Sequence, residues 1–258
     1  MLWRKSWLET RTRFFIGLFV LLFLAAGNVF EYPRVAALLP AARSLDTGDA
    51  GGTLGRLIRK AVELQRDYRG FIWWQWVRQN LTQTWTLFAV LLGTGGLLSQ
   101  TSGGAASYTL SMPVSRERVL GVRAATAVAE LLALALIPSL MLPLLSPAIG
   151  QSYGFAEALV HGACVFAAGL IFFSLAFLLS SVFNDIWRPA LLACVVAVAI
   201  AFSEQIVSDG SRYGIFGAMT AEVYFRTGGL PWPGLLISAA ASGAMLYGAA
   251  INIAEQDF

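Results

Sequence analysis

Four ionisable side chains lie inside apolar stretches of the sequence, namely Glu130, Glu157, His161 and Glu204. A charged group is costly to place in hydrocarbon, so such residues usually pair, carry protons or line a path through the membrane. Glu157 and His161 are one helical turn apart and could pair, most readily as a hydrated pair at the outer membrane surface. Glu130 fits a structural pairing and a place on a translocation path equally well.

The sequence offers little for catalysis or metal binding. It contains no G-x-x-x-x-G-K-[ST] motif that could hold nucleotide phosphates. His161 is the single histidine, which excludes an H-E-x-x-H site and any site built from several histidines. Cys164 and Cys194 lie within apolar runs and are typical of small core side chains rather than of a disulfide or a metal pair. We therefore expect a chain that is not an enzyme and binds no metal.

The composition is that of a membrane protein. The chain has 258 residues, of which 57% are hydrophobic and 13% are charged, and its mean hydropathy is +0.66. Soluble domains carry roughly 25% charged residues. The net charge is only +3, and the basic residues are dispersed or lie beside the apolar runs, which argues against nucleic acid as a partner.

The stretch 99–123, SQTSGGAASYTLSMPVSRERVLGVR, separates two long apolar runs. Pro113 disfavours a helical conformation at the residue before it and so ends a preceding helix. Ser115 can cap a new helix that starts at Arg116. Arg116 and Arg118 indicate that this side is cytoplasmic, because cytoplasmic loops are enriched in arginine and lysine. We expect a short surface element that breaks at the proline and returns to the membrane; an ordinary charged loop is the alternative.

The order Tyr-Thr-Leu-Ser-Met-Pro-Val-Ser-Arg-x-Arg, after a glycine-containing stretch, resembles the membrane subunits of ABC transporters, specifically the ABC type-2 permease family. The resemblance implies that this segment is the cytoplasmic coupling element between the second and third spans and docks on a separate ATPase subunit. It assigns the coupling contact to Gln100, Tyr108, Leu110, Pro113, Ser115, Arg116 and Arg118. The family usually has a glutamate where this chain has Gln100, so no charged contact is assigned there.

The resemblance further implies an exporter in a bacterial-type inner (plasma) membrane, surrounded by lipid. ATP and magnesium would bind to the partner ATPase and no cofactor to this chain, which would pair with a second copy or a paralogue. A drug, a peptide, a lipid or a glycan precursor all remain possible substrates. Two other functions stay open: a membrane scaffold or assembly factor without transport, and an ion-coupled secondary transporter using Glu130 and Glu204. The last predicts inverted repeats, which the sequence does not show.

The fold that must position these residues is predicted to be an all-α integral membrane protein, one permease domain over residues 1–258 with six transmembrane helices. Residues 1–13 are basic and aromatic and favour an amphipathic elbow helix in the headgroup region, although a signal peptide also has a basic start before an apolar run. Residues 14–30 form the first span. Residues 31–78 form an outer loop with an amphipathic helix over 54–69, which presents Tyr68 on its apolar face.

The remaining elements follow from apolar runs of ~20 residues. Trp73, Trp74 and Trp76 are predicted to form an aromatic belt at the outer surface. The later spans are predicted at 79–98, 124–145, 157–182, 189–204 and 233–253. Pro138 and Pro143 lie inside the third span. The apolar part of the outer segment before the sixth span, 214–225, is expected to dip into the membrane edge, and both termini are expected in the cytoplasm.

Overall fold

The computed structural model describes residues 2–45, 67–94, 116–183, 185, 187–206 and 214–254. Across these ranges the regular structure is entirely helical, which confirms the all-α prediction. Five of the helices are long and apolar enough to cross a membrane. The chain is therefore a multi-pass helical membrane protein.

The helices that form the bundle are long, and the helices in the connections between them are short. In chain order they are α1 (Leu2–Leu45), α2 (Tyr68–Phe71), a π-helix (Ile72–Leu81), α3 (Thr82–Gly93), α4 (Arg116–Leu145), a 3-10 helix (Ser146–Ile149), α5 (Phe155–Ser180), α6 (Trp187–Ile206), α7 (Ile215–Met219), α8 (Glu222–Thr227) and α9 (Trp232–Ala254). The five apolar helices are α1, α4, α5, α6 and α9.

Helix α5 lies at the centre of the bundle. It is the most buried of the five apolar helices, and it packs against α3, α4, α6, α7 and α9. Its glycines allow this close packing, because a Cβ at Gly169 would lie only 2.2 Å from the Trp85 ring of α3. Helix α1 packs mainly along α4 on one side of this centre.

Helix α1 differs from the predicted elbow, span and loop. It runs without a break from Leu2 to Leu45, so no separate elbow helix precedes the first span, and residues 31–45 continue that helix instead of starting a loop. The sequence between Trp7 and Phe14 has no glycine or proline to interrupt a helix. Beyond the first span, Tyr32 packs against Tyr68 and Phe71 at ring-centroid distances of 4.8 and 5.3 Å, which supports the helix there.

The second helical run begins earlier than predicted. Helix α2, the π-helix and α3 follow one another directly, so the run starts at Tyr68 and not at residue 79. Of the predicted amphipathic helix over 54–69, only residues 67–69 are among the described residues. Tyr68, predicted on the apolar face of that helix, is buried in protein, with its hydroxyl 2.7 Å from Ser146 Oγ.

The predicted aromatic belt is also wrong for two of its three members. Trp73 and Trp76 are fully buried. Trp74 is partly exposed, and the Arg78 guanidinium lies 4.6 Å from the centroid of the Trp74 ring. The reason is that the outer segment folds back over this part of the chain. The indole N–H of Trp73 donates to the Thr220 carbonyl at 2.9 Å.

The later helices lie close to their predicted bounds. Pro138 and Pro143 both lie inside α4. Helix α6 starts at Trp187, so Pro189 occupies its first turn, and the preceding turn is closed by Asp185, whose Oδ1 accepts the Arg188 N–H at 2.7 Å. Cys164 and Cys194 are both free thiols.

Candidate functional site

The described end of α3 meets two arginines from neighbouring helices. We call this end of the bundle the basal end; it carries Thr94 and the first turns of α4. Arg13 Nη1 of α1 donates to the carbonyl oxygens of Leu91 at 2.6 Å and Thr94 at 3.3 Å. Arg123 Nη2 of α4 reaches the same Thr94 oxygen at 3.5 Å. Cations at a helix C-terminus satisfy its last carbonyl groups and interact favourably with the helix dipole.

Glu130 belongs to this basal cluster. Its carboxylate is bonded to the Thr10 hydroxyl of α1, and only 3% of the residue is exposed. Thr10 precedes the apolar part of α1, whereas Glu130 lies at the middle of α4, two helical turns beyond Arg123. The second carboxylate oxygen, Oε2, has no hydrogen-bond partner among the described residues. Glu9 extends the cluster, with its carboxylate 3.8 Å from Arg123 Nη1.

Glu157 and His161 do not form the predicted hydrated pair. The Glu157 carboxylate instead forms an ion pair with Arg69 of α2. His161 is buried, with an exposed fraction of 2%. Its ring contacts the Tyr224 ring edge-on, with ring centroids 5.8 Å apart. Sequence spacing correctly put both residues on one face of α5, but it could not show that Arg69 approaches from another helix.

Tyrosines surround this ion pair at the opposite, distal end of the bundle. Tyr68 and Tyr153 meet edge-on with ring centroids 6.4 Å apart. Burial raises the pKa of Tyr153, and the nearby Glu157 carboxylate raises it further. The phenol therefore stays neutral, and the charged groups here are the carboxylate and the guanidinium.

Glu204 has a structural partner. Its carboxylate oxygens accept the backbone N–H of Phe216 at 3.1 Å and that of Gly217 at 3.2 Å. It therefore caps the first turn of α7 from the end of α6. The contact is close enough that a Cβ at Gly214 would lie 2.4 Å from the Glu204 carboxylate.

Helix α7 packs within the bundle, against α5, α6 and α9, and the expected dip of 214–225 into the membrane edge stays a prediction. The Phe216 ring is 5.3 Å from the ring of Phe172, which is far from either end of α5. Met219 is fully buried. The chain then turns at Ala221, whose φ of 49° is left-handed, and α8 leads back towards the distal end.

A cavity of about 360 Å³ lies between α3 and α6. Its wall is mainly apolar and includes Val90, Ala197 and Phe202, while Phe216 of α7 contributes to one end. Gln83 and Thr86 supply polar groups from α3. Such a surface suits an apolar molecule with one or two hydrogen-bonding groups.

The predicted coupling residues lie mostly beyond what can be described. Gln100, Tyr108, Leu110, Pro113 and Ser115 lie outside the described residues. Helix α4 is described from Arg116 onward, so the cap predicted at Ser115 stays a prediction. Arg118, two residues further on, is exposed.

The sequence also contains the pattern G-x-S-x-G, as Gly150-Gln151-Ser152-Tyr153-Gly154. In hydrolases this pattern forms a sharp turn between a strand and a helix. Here the turn connects a 3-10 helix to α5, and its buried side chain is Tyr153 instead of the serine. This turn is therefore not the strand-to-helix turn of those hydrolases.

Metal binding has no visible basis in the described ranges, where no group of three histidine, cysteine or acidic residues comes together. No protein-family model matches the chain, and comparison with curated proteins and with solved structures gave no match either.

Proposed function

We propose that this chain is the membrane-spanning subunit of an ATP-driven exporter of the ABC type-2 kind. A separate ATPase chain binds and hydrolyses ATP, and a second copy of this chain or a paralogue completes the path. The helical run from Tyr68 to Gly93 serves as the sixth span beside the five apolar helices. The chain lies in a bacterial-type inner membrane, with the basal end and both termini in the cytoplasm.

One observation carries the proposal. The helices that flank residues 95–115 along the chain meet at the basal end, because Arg123 of α4 reaches the Thr94 carbonyl at the end of the run containing α3. Arg13 holds the same carbonyl from α1. A partner that binds residues 95–115 would thus act on three helices at once. This is the mechanical requirement for passing ATPase movement to the spans.

The charge near this end supports an ATPase as partner. Arg4, Arg11 and Arg118 are exposed on the basal parts of α1 and α4. Arginine forms strong, often bidentate bonds with carboxylates, so an acidic surface on the ATPase would fit. The cavity between α3 and α6 lines part of the proposed translocation path with mainly apolar side chains, which a substrate would contact.

The buried carboxylates favour ATP-driven over ion-coupled transport. Glu204 is already bonded to two backbone N–H groups of α7, and Glu130 is bonded to Thr10 in the basal cluster. At Glu204 a coupling ion would have to displace these contacts, whereas Glu130 keeps one carboxylate oxygen without a hydrogen-bond partner among the described residues. An ATPase partner requires neither carboxylate to change its bonds.

The test is co-purification with a P-loop ATPase encoded by an adjacent reading frame. Replacing Arg116 and Arg118 together with glutamine should lower the amount of bound ATPase and its transport-stimulated turnover, because charge-assisted bonds are lost. The matched control is Arg188→Gln, which removes an exposed arginine that pairs with Asp185 beside it. Equal ATPase binding by the double variant and the control, with normal membrane insertion, would contradict the proposal.

A further inference from the structure

The π-helix of ten residues, Ile72–Leu81, is an unusual feature of the second helical run. Such i→i+5 hydrogen bonding is rare and is found mostly as single turns, often at functional sites. Its end is fixed by Thr82, whose backbone N–H is bonded to the Val77 carbonyl five residues earlier. The Thr82 hydroxyl donates to that same oxygen at 2.7 Å. The backbone N–H and the hydroxyl of Thr82 therefore both donate to the Val77 carbonyl, and both bonds stabilise the π-helical register.

The π-helix presents Trp73 to the outer segment. The indole N–H donates to the Thr220 carbonyl, and the indole ring stacks on Phe225 of α8 with centroids 4.5 Å apart and planes 9° apart. The Arg69 guanidinium lies 5.2 Å from the centre of the same Phe225 ring. We call these contacts among Trp73, Thr220, Phe225 and Arg69 the aromatic clamp.

Helix α8 depends on these contacts for its position. None of its residues is buried, unlike the neighbouring α7, where Ala218 and Met219 are. Besides the aromatic clamp, α8 rests on His161 of α5 through the edge-on contact of Tyr224. An element that buries so little surface opens at low cost when its few specific contacts are lost.

The other end of the helical run is fixed firmly. The indole N–H of Trp85 in α3 donates to the Leu131 carbonyl of α4 at 3.0 Å. A Cβ at Gly93 would lie 2.7 Å from the Phe173 carbonyl oxygen of α5, so the two helices are in close contact there. A change of register in the π-helix therefore has to turn its distal part, where Trp73 lies.

We propose that the π-helix and α8 form a gate at the distal end, which is closed while the π-helical register holds Trp73 in the aromatic clamp. A shift towards α-helical bonding turns Trp73 away from Thr220 and Phe225 and releases α8. The role of this gate as the exit of a transport path rests on the proposed function. The gate itself is a property of this chain alone.

The gate can be tested by the accessibility of position 161, which α8 covers when it is closed. His161→Cys, in a chain whose Cys164 and Cys194 are replaced with alanine, reports opening through its rate of labelling by a membrane-impermeant maleimide. Thr82→Val removes the hydroxyl that donates to Val77, and Trp73→Phe keeps a ring on Phe225 but removes the indole N–H. Each loses one hydrogen bond, so each should raise the labelling rate roughly twofold to tenfold.

The matched control is Thr126→Val. Thr126 is also buried, and its hydroxyl donates to Val122, four residues earlier in the ordinary α-helix α4, at 2.8 Å. Thr82→Val and Thr126→Val should lower the thermal stability of the purified protein similarly, but only Thr82→Val should speed labelling. Equal labelling rates for these two variants would overturn the gate, and so would an unchanged rate for Trp73→Phe.

The result does not depend on the proposed function, because labelling needs neither nucleotide nor a partner. If the chain is not a transporter subunit, the rates of the variants still differ as stated, while adding the ATPase and ATP leaves them unchanged. If both proposals hold, ATP in the presence of the ATPase alters the labelling rate of the unsubstituted gate.

Discussion

Arg13 donates from Nη1 to the carbonyl oxygen of Leu91 over 2.6 Å, and so joins α1 to the end of α3. The bond lies where an α-helix leaves its final carbonyl groups without partners inside the helix. Arg123 of α4 reaches a second carbonyl of this helix end, that of Thr94. Side chains from α1 and α4 therefore both bind the C-terminal end of α3.

Replacing Arg13 with glutamine is expected to destabilise the protein by ~1.5–3 kcal/mol, the usual worth of a hydrogen bond to a charged group. The expected result is a lower midpoint in denaturant unfolding of the purified protein. Arg11→Gln is the control, because Arg11 is exposed on the same helix. Equal stability of the two variants would show that the Arg13 contacts contribute nothing.

Replacing Glu204 should separate a capping role from an ion-carrying one. Glu204→Ala removes the acceptor of the Phe216 and Gly217 N–H groups and should cost ~0.5–2 kcal/mol, as loss of a helix cap does. Glu204→Gln keeps one carbonyl oxygen and should retain most of that stability together with transport. Loss of transport in a stable, correctly inserted Glu204→Gln protein would instead support ion coupling.

Two glycine substitutions test the contact between α3 and α5. A Cβ at Gly93 would lie 2.7 Å from the Phe173 carbonyl oxygen, whereas nothing lies within 4 Å of a Cβ at Gly243 in α9. Gly93→Ala should therefore lower thermal stability, with a cost of ~1–3 kcal/mol from overpacking. Gly243→Ala should raise stability by up to about 1 kcal/mol, because alanine favours a helix interior. A neutral Gly93→Ala would mean that these helices can move apart freely.

The orientation of the bundle can be read by cysteine labelling in intact cells. Arg4, near the basal start of α1, and Thr227, at the end of α8, are both exposed. With the native cysteines replaced, an impermeant reagent should label Thr227→Cys and leave Arg4→Cys unlabelled until the membrane is opened. Labelling of Arg4→Cys in intact cells would reverse the proposed orientation.

Much of the helical framework could be predicted from the sequence, since long apolar runs have few alternatives in a membrane. The helices α4, α5, α6 and α9 begin and end near their predicted bounds. The dip of 214–225 into the membrane edge stays a prediction.

Contacts between distant parts of the chain could not be predicted. The tryptophans of the second helical run have the composition of an interfacial belt, yet Trp73 is buried because α8 folds over it. Likewise Glu157 has His161 as its neighbour along the helix, but Arg69 arrives from a different one. A π-helix has no local sequence signal comparable to a cap, so Trp73 was expected in the outer loop and only the span from residue 79 was expected to be helical.

The length of α1 gives the bundle a connection between its two ends. Its 44 residues extend over about 66 Å at ~1.5 Å per residue, roughly twice the thickness of the hydrocarbon core. Thr10 binds Glu130 near one end of this helix, and Tyr32 packs against Tyr68, the first residue of α2, towards the other. A rigid tilt of α1 imposed at Thr10 would therefore displace Tyr32, and with it the residues that lead directly into the π-helix.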